Sequence, residues 1–221
     1  MLNNVNYDWL KQFKPIITGD VEGWKVYTND YGFRDTADRK TWSDFRQSVV
    51  VIGCSQTFGW GIDYEHTFTH LLEQKLGRQV VNLGIPAVSF DTVWLLSIEL
   101  RKRYKPWSVV INWPDVMRYR EWHTGHDCML TRPVMNRDNL LREFYLKSPE
   151  FKEKIAMSQM DSTDLMWSNQ TKYFSISWSK SVGHRARQFE KIDKALDGKH
   201  WGPKTHASVC DWLASQLSDP Y

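Results

Sequence analysis

Two short segments at opposite ends of the chain carry the side chains of a nucleophilic catalyst. Ser55 sits in Gly53-Cys54-Ser55-Gln56-Thr57-Phe58-Gly59-Trp60-Gly61, a tight glycine-flanked turn. Asp197 and His200 sit in Asp197-Gly198-Lys199-His200-Trp201-Gly202-Pro203. An aspartate and a histidine three apart in a glycine-bearing loop can bend so that the carboxylate meets one imidazole nitrogen and leaves the other free. The free nitrogen is a general base, and a serine hydroxyl within its reach becomes a nucleophile. Glycine and serine after a strand also make plain turns, so the pattern gains meaning only if the fold joins its two ends.

The elements between them supply that fold. Ser48 to Gly53 reads Ser-Val-Val-Val-Ile-Gly, a continuous apolar run of the kind found in a strand buried on both faces of a parallel sheet. A second run, Gln79-Val80-Val81-Asn82-Leu83, ends at Gly84, and a third, Ser108-Val109-Val110-Ile111, ends at Asn112. Segments of helical length separate them: Thr67 to Leu76, with Phe68, Leu71, Leu72 and Leu76 on one face, then Thr92 to Tyr104. A third amphipathic segment, Lys204 to Leu217, follows Pro203 at its first turn. Strand, helix, strand, helix, strand predicts an α/β fold with right-handed crossovers. In such open sheets ligands bind beyond the carboxyl ends of the strands, where Ser55, Gly84 and Asn112 all fall.

At these residues the chain resembles the SGNH (GDSL-like) hydrolases, with Gly53-Cys54-Ser55 as first block, Gly84 within Asn82-Leu83-Gly84 as second, Asn112 as third, and Asp197 with His200 as last. The likeness spans roughly residues 48 to 215. It implies a flavodoxin-like α/β/α sandwich with a mostly parallel central sheet, and hydrolysis of esters or removal of acyl groups, often acetyl groups on carbohydrates, without a cofactor. Ser55 would be the nucleophile, His200 its base and Asp197 the group that holds the imidazole tautomer. The backbone N–H groups of Ser55 and Gly84 and the Asn112 amide would receive the oxyanion. Cys54 departs from the pattern, standing where the family usually has aspartate.

The remaining composition sets bounds. A chain of 221 residues, 41% hydrophobic, can fill one substantial core. We expect residues 1–47 to form an arm packed on a hydrolase domain at 48–221, with a cap or specificity segment at 116–196. Within that segment Leu140 to Leu146 reads as helix, and Phe174, Ile176 and Trp178 alternate with serines as a fourth strand would. Net charge is +3, from 29 basic and 26 acidic residues, with no concentrated basic stripe, so no nucleic-acid partner is expected. Arg101-Lys102-Arg103 with Lys105, and Arg118 with Arg120, read as solvated faces. No stretch approaches eighteen apolar residues, and Met1-Leu2-Asn3-Asn4 lacks a signal pattern, so no membrane partner and a cytoplasmic or otherwise soluble protein are expected.

Competing chemistries are weaker. His123, His126 and Cys128, with Asp127 between, have zinc-ligand character but no evident fourth ligand. There is neither a nucleotide P-loop nor a dinucleotide fingerprint. Cys54 is an intrinsically stronger nucleophile than serine, yet residues 54 and 55 of a tight turn cannot both face one cleft. Cys210 reads as core packing, and three widely spaced cysteines argue against a disulfide scaffold. Trp60, Trp113 and Trp201 adjoin the catalytic blocks and are candidates to stack on a sugar. A non-catalytic carbohydrate-binding module of the same fold, and an acyltransferase, stand as alternatives.

Overall fold

Uninterrupted valine, isoleucine and leucine runs leave no polar face to present to water, so they become the inner strands of the sheet. The computed structural model describes residues 7–13, 23–121, 126–129, 147–169 and 171–218. β1 (Val49–Gly53), β2 (Val80–Gly84) and β3 (Ser108–Trp113) are buried along their whole length. β4 (Arg118–Glu121) and β5 (His126–Met129) form a separate antiparallel pair. β6 (Lys172–Ser177) and β7 (Arg187–Gln188) complete the main sheet, whose order is β2-β1-β3-β6-β7 with every pairing parallel. Counting its own strands alone, this is the flavodoxin-like order 2-1-3-4-5. The register sets Gly53 opposite both Gly84 and Asn112, so the ends of the three inner strands lie in one row.

Alternate side chains of these strands feed two cores. Val50, Ile52, Val81, Leu83, Val109 and Ile111 pack with α3 (Phe90–Arg103) and α4 (Pro149–Trp167), together with Tyr7, Leu10, Phe33, Trp42 and Phe45 from the N-terminal region. Val49, Val51, Val80, Val110 and Ile176 pack with α2 (Phe68–Leu76) and α5 (Pro203–Ser218). The result is a three-layer α/β/α sandwich. The helix starts follow local chemistry: Thr67 Oγ1 accepts the His70 N–H, and Ser89 Oγ accepts the Thr92 N–H, each capping an otherwise unpaired donor. Arg101, Lys102 and Arg103 occupy the last turn of α3, where cations suit the helix dipole, and Glu99 pairs with two of them. That is the solvated face expected of this cluster.

The fourth strand falls at β6, as the alternation of Phe174 and Ile176 predicts. α4 has no counterpart in the sequence reading, and Leu140 to Leu146 lies outside the described residues. Among the described residues no helix is long and apolar enough to cross a membrane.

α4 also carries a buried ion pair. Lys152, with no exposed side-chain surface, donates to both oxygens of Asp91 at 3.1 Å, and Gln159 and the Arg120 N–H add bonds at 2.8 and 2.9 Å. Burial pushes the Lys152 ammonium below its ordinary value, against the pull of Asp91. Removing one member of such a pair strands the other charge. We expect Lys152→Ala to lose about 3–5 kcal/mol of stability, and Lys152→Met combined with Asp91→Leu to recover much of it. Urea midpoints of the two variants check this.

Candidate functional site

Ser55 opens α1 (Ser55–Phe58), a single turn that begins where β1 ends. The turn can lie so low on the sheet because Gly84, at the end of β2, has no side chain: a Cβ there would stand 2.3 Å from Phe58 N. Asn82 fastens the same contact, donating from Nδ2 to Thr57 O at 2.9 Å and to Thr69 Oγ1 at 3.0 Å. The polar residue inside an otherwise apolar strand thereby holds the turn that presents the serine.

The base arrives from 145 residues away in sequence. His200 Nε2 lies 2.9 Å from Ser55 Oγ, and His200 Nδ1 lies 2.5 Å from Asp197 Oδ2. Asp197 Oδ1 accepts the backbone N–H groups of Lys199 and His200 at 2.9 and 3.0 Å. Partial burial raises the Asp197 carboxyl, but these two N–H donors and the imidazole outweigh it and hold the group below the usual aspartate range. Gly198 takes φ 68, the left-handed conformation that lets the loop fold back on itself. Ala195 N–H donates to His200 O, Leu196 N–H to Gly61 O, and Trp201 N–H to Gln56 Oε1. The last two bonds tie the base loop to the nucleophile segment. Asp193 caps α5 through the Lys204 and Thr205 N–H groups, anchoring the loop's far end.

The structure therefore brings Ser55, His200 and Asp197 into one hydrogen-bonded relay. It treats the other expected residues differently. The Gly84 N–H is donated to Asn82 Oδ1 at 2.9 Å, so it is already engaged, and the glycine's evident service is the close approach of α1. Asn112 lies under the same turn, with Nδ2 donating to Thr57 Oγ1 at 3.1 Å and Oδ1 buried without a partner among the described residues. Cys54 is buried and turned from His200: its Sγ accepts from Trp178 Nε1 at 3.2 Å. Residues 54 and 55 thus project apart.

Two of the three tryptophan expectations are corrected. Trp113 is fully buried, stacked on Phe90 with ring centroids 4.5 Å apart, and its Nε1 donates to Ser175 Oγ. Trp201 is buried against Phe189 and His206. Neither has a free face for a sugar. Trp60 is partly exposed, 6.4 Å from the His200 ring, centroid to centroid. For the metal reading, His123 lies outside the described residues, and of His126, Asp127 and Cys128 only the backbone, in β5, lies within them. Among the described residues no group of three or more metal-ligating side chains occurs.

Arg34 has no signal in the motif spacing, yet it braces the site. Fully buried, it donates through Nη1 to Phe58 O at 3.0 Å and to Gly59 O, and through Nη2 to Ile62 O at 2.5 Å. Its guanidinium also lies 4.7 Å from the Trp24 ring centroid. Burial pushes it down to about 10, against the fields of Tyr64, Asp63 and Glu65. It thus fixes the segment between Ser55 and Gly61, the one bonded to the base loop. We expect Arg34→Met to lower kcat by about tenfold to a hundredfold, the scale of an ångström-size misplacement, with little change in KM. Arg34→Lys should recover part of that loss. Steady-state kinetics on a small ester, with thermal melts alongside, check the split.

No protein-family model matches the sequence, and no curated protein matches it. Solved structures do. A carbohydrate esterase, described as having an active site with divergent catalytic and non-catalytic binding functions, is 13% identical over 80% of this chain and 66% of that one, with a TM-score of 0.52. A family 2 carbohydrate esterase with a carbohydrate-binding domain from Corynascus thermopiles (Myceliophthora fergusii) is 14% identical over 80% of this chain and 67% of that one, at 0.48. A member of the lipolytic protein G-D-S-L family from Veillonella parvula is 8% identical over 77% and 97%, at 0.45. At these identities the likeness bears on the fold alone: the chain shares the α/β/α sandwich of the first of these carbohydrate esterases.

Proposed function

We propose that this chain is a serine esterase that removes short acyl groups, acetyl above all, from a carbohydrate or similar polar alcohol. The observation that carries this reading is the relay of 2.9 and 2.5 Å from Ser55 Oγ through His200 to Asp197. Ser55 Oγ attacks the ester carbonyl as His200 Nε2 takes its proton. Asp197 keeps the Nδ1–H tautomer and balances the imidazolium that forms. The tetrahedral intermediate collapses when His200 returns the proton to the leaving alcohol. Water, activated by the same imidazole, then clears the acyl enzyme.

The Ser55 N–H is one donor to the oxyanion. Asn112 Nδ2 is the second, exchanging Thr57 Oγ1 for the developing charge. Gly84 contributes the close approach that lets both stand beneath the carbonyl. The partly exposed ring of Trp60 beside His200 offers a face on which a sugar can stack, and the carbohydrate esterase that shares the fold favours the same class of alcohol.

Acetate release from p-nitrophenyl acetate and from an acetylated oligosaccharide, with the products examined with and without an alcohol acceptor, tests the assignment. Free acetate in both cases supports a hydrolase. Acyl transfer to the acceptor in preference to water makes the protein an acyltransferase, and no turnover of any ester by folded protein makes it a binder.

A further inference from the structure

Arg118, on β4, touches two segments that follow the carboxyl ends of strands of the main sheet, the loop after β2 and the residue after β6. Its guanidinium lies 5.5 Å from the centroid of the Trp178 ring, and the indole N–H of that tryptophan is bonded to Cys54, the residue before Ser55. On its other side Nη1 donates to Val88 O, at a long 3.3 Å. Val88 belongs to the loop after β2, in which exposed Ala87 is held at φ 60, a left-handed conformation disfavoured for a non-glycine residue. Arg118 therefore stands between the β2 loop and the end of β6, on the Cys54 side of the serine turn.

Among the described residues no carboxylate faces its charge. Arg39, Arg46, Arg103 and Arg185 each meet a carboxylate. Among the described residues Arg118 meets none, its guanidinium makes the single hydrogen bond to Val88, and its Nε is buried with no acceptor. Asp115, three residues before it, is taken up by Ser179 Oγ, Ser181 Oγ and the Met117 N–H. A guanidinium has five donors in a fixed fork that matches a carboxylate. Set on an aromatic face and partly withdrawn from water, it is selective for an anion.

We infer that Arg118, on its Trp178 platform, is a specificity residue that receives an anionic group of the substrate, so that the preferred substrate is an acylated acidic sugar such as a uronic acid. This rests on the esterase reading above and names the substrate class of the same site. Its packing against Trp178 sets Arg118 apart from the solvated face that its sequence neighbourhood suggests.

The experiment compares an acetylated uronic-acid oligosaccharide with the same oligosaccharide after methyl esterification of its carboxylates, which removes the charge and keeps the sugar. The wild type should favour the charged form in kcat/KM by about tenfold to a hundredfold, as a hydrogen bond to a charged group warrants. Arg118→Gln should bring the ratio near one, and Arg118→Lys, which keeps the charge without the fork, should fall between. A wild-type ratio near one, or an Arg118→Gln ratio equal to that of the wild type, overturns the inference. Should no ester at all be turned over, p-nitrophenyl acetate included, the esterase reading fails by itself. Calorimetric binding of the deacetylated oligosaccharide and its methyl ester then decides the subsite: preference for the charged form, lost in Arg118→Gln, upholds it, and equal binding overturns it.

Discussion

Ser55→Ala should lower kcat on p-nitrophenyl acetate by roughly 10⁴- to 10⁶-fold, and His200→Ala by a similar factor, with the double variant scarcely worse than either. Such non-additivity is the mark of groups that act as one unit: without the hydroxyl the imidazole has no proton to take, and without the imidazole the hydroxyl is a poor nucleophile. Neither side chain holds the fold. Ser55 is buried by position in its turn, while the turn itself is held by Asn82, Gly84 and Arg34. Thermal melts of both variants should therefore match the wild type, and activity near wild type in a folded Ser55→Ala protein would contradict the mechanism.

Asp197→Asn should cost about 10⁴-fold in kcat through a different route. The carboxylate faces two ways: Oδ1 accepts the Lys199 and His200 N–H groups, and Oδ2 meets His200 Nδ1. An asparagine can keep its oxygen on the two backbone donors and so preserve the loop. Its amide nitrogen must then face Nδ1 as a donor, which turns the imidazole to the tautomer protonated at Nε2. That nitrogen can no longer accept the Ser55 proton. The loss should lie in kcat, with the loop intact by thermal melt, whereas a drop in stability with kcat little changed would reduce Asp197 to a loop anchor.

How much of this the residues announce depends on what holds each one. β1, β2 and β3 are legible because strands covered on both faces need apolar side chains at every position. Asp197 and His200 are legible because their contact is local, three residues apart across a left-handed Gly198. α4 is not, because its buried positions include Lys152 and Gln159, which donate to Asp91, and Thr163, which donates to the Gln159 backbone carbonyl, instead of forming an apolar stripe. Arg34 is hidden for a similar reason: its partners are backbone carbonyls, which leave no mark on side-chain spacing. Trp113 and Trp201 show that nearness in sequence to a site does not give the direction of a side chain. Trp113 follows Asn112 on a strand, where neighbours point to opposite faces, and its ring goes into the core with Phe90. A glycine needed as a backbone donor and one needed for close approach look alike in sequence, and for Gly84 the close approach of α1 is what the structure displays.

The proposed function requires that Ser55, alone among the hydroxyls and thiols of the described residues, is activated. A fluorophosphonate probe measures this directly, because phosphonylation requires the attacking oxygen, its base and an oxyanion site together. Incubation of the folded protein with the probe, followed by intact mass and peptide mapping, should show one adduct, on Ser55, absent from Ser55→Ala and from His200→Ala. A folded wild-type protein that never labels, or one whose adduct lies on Cys54, would contradict the account.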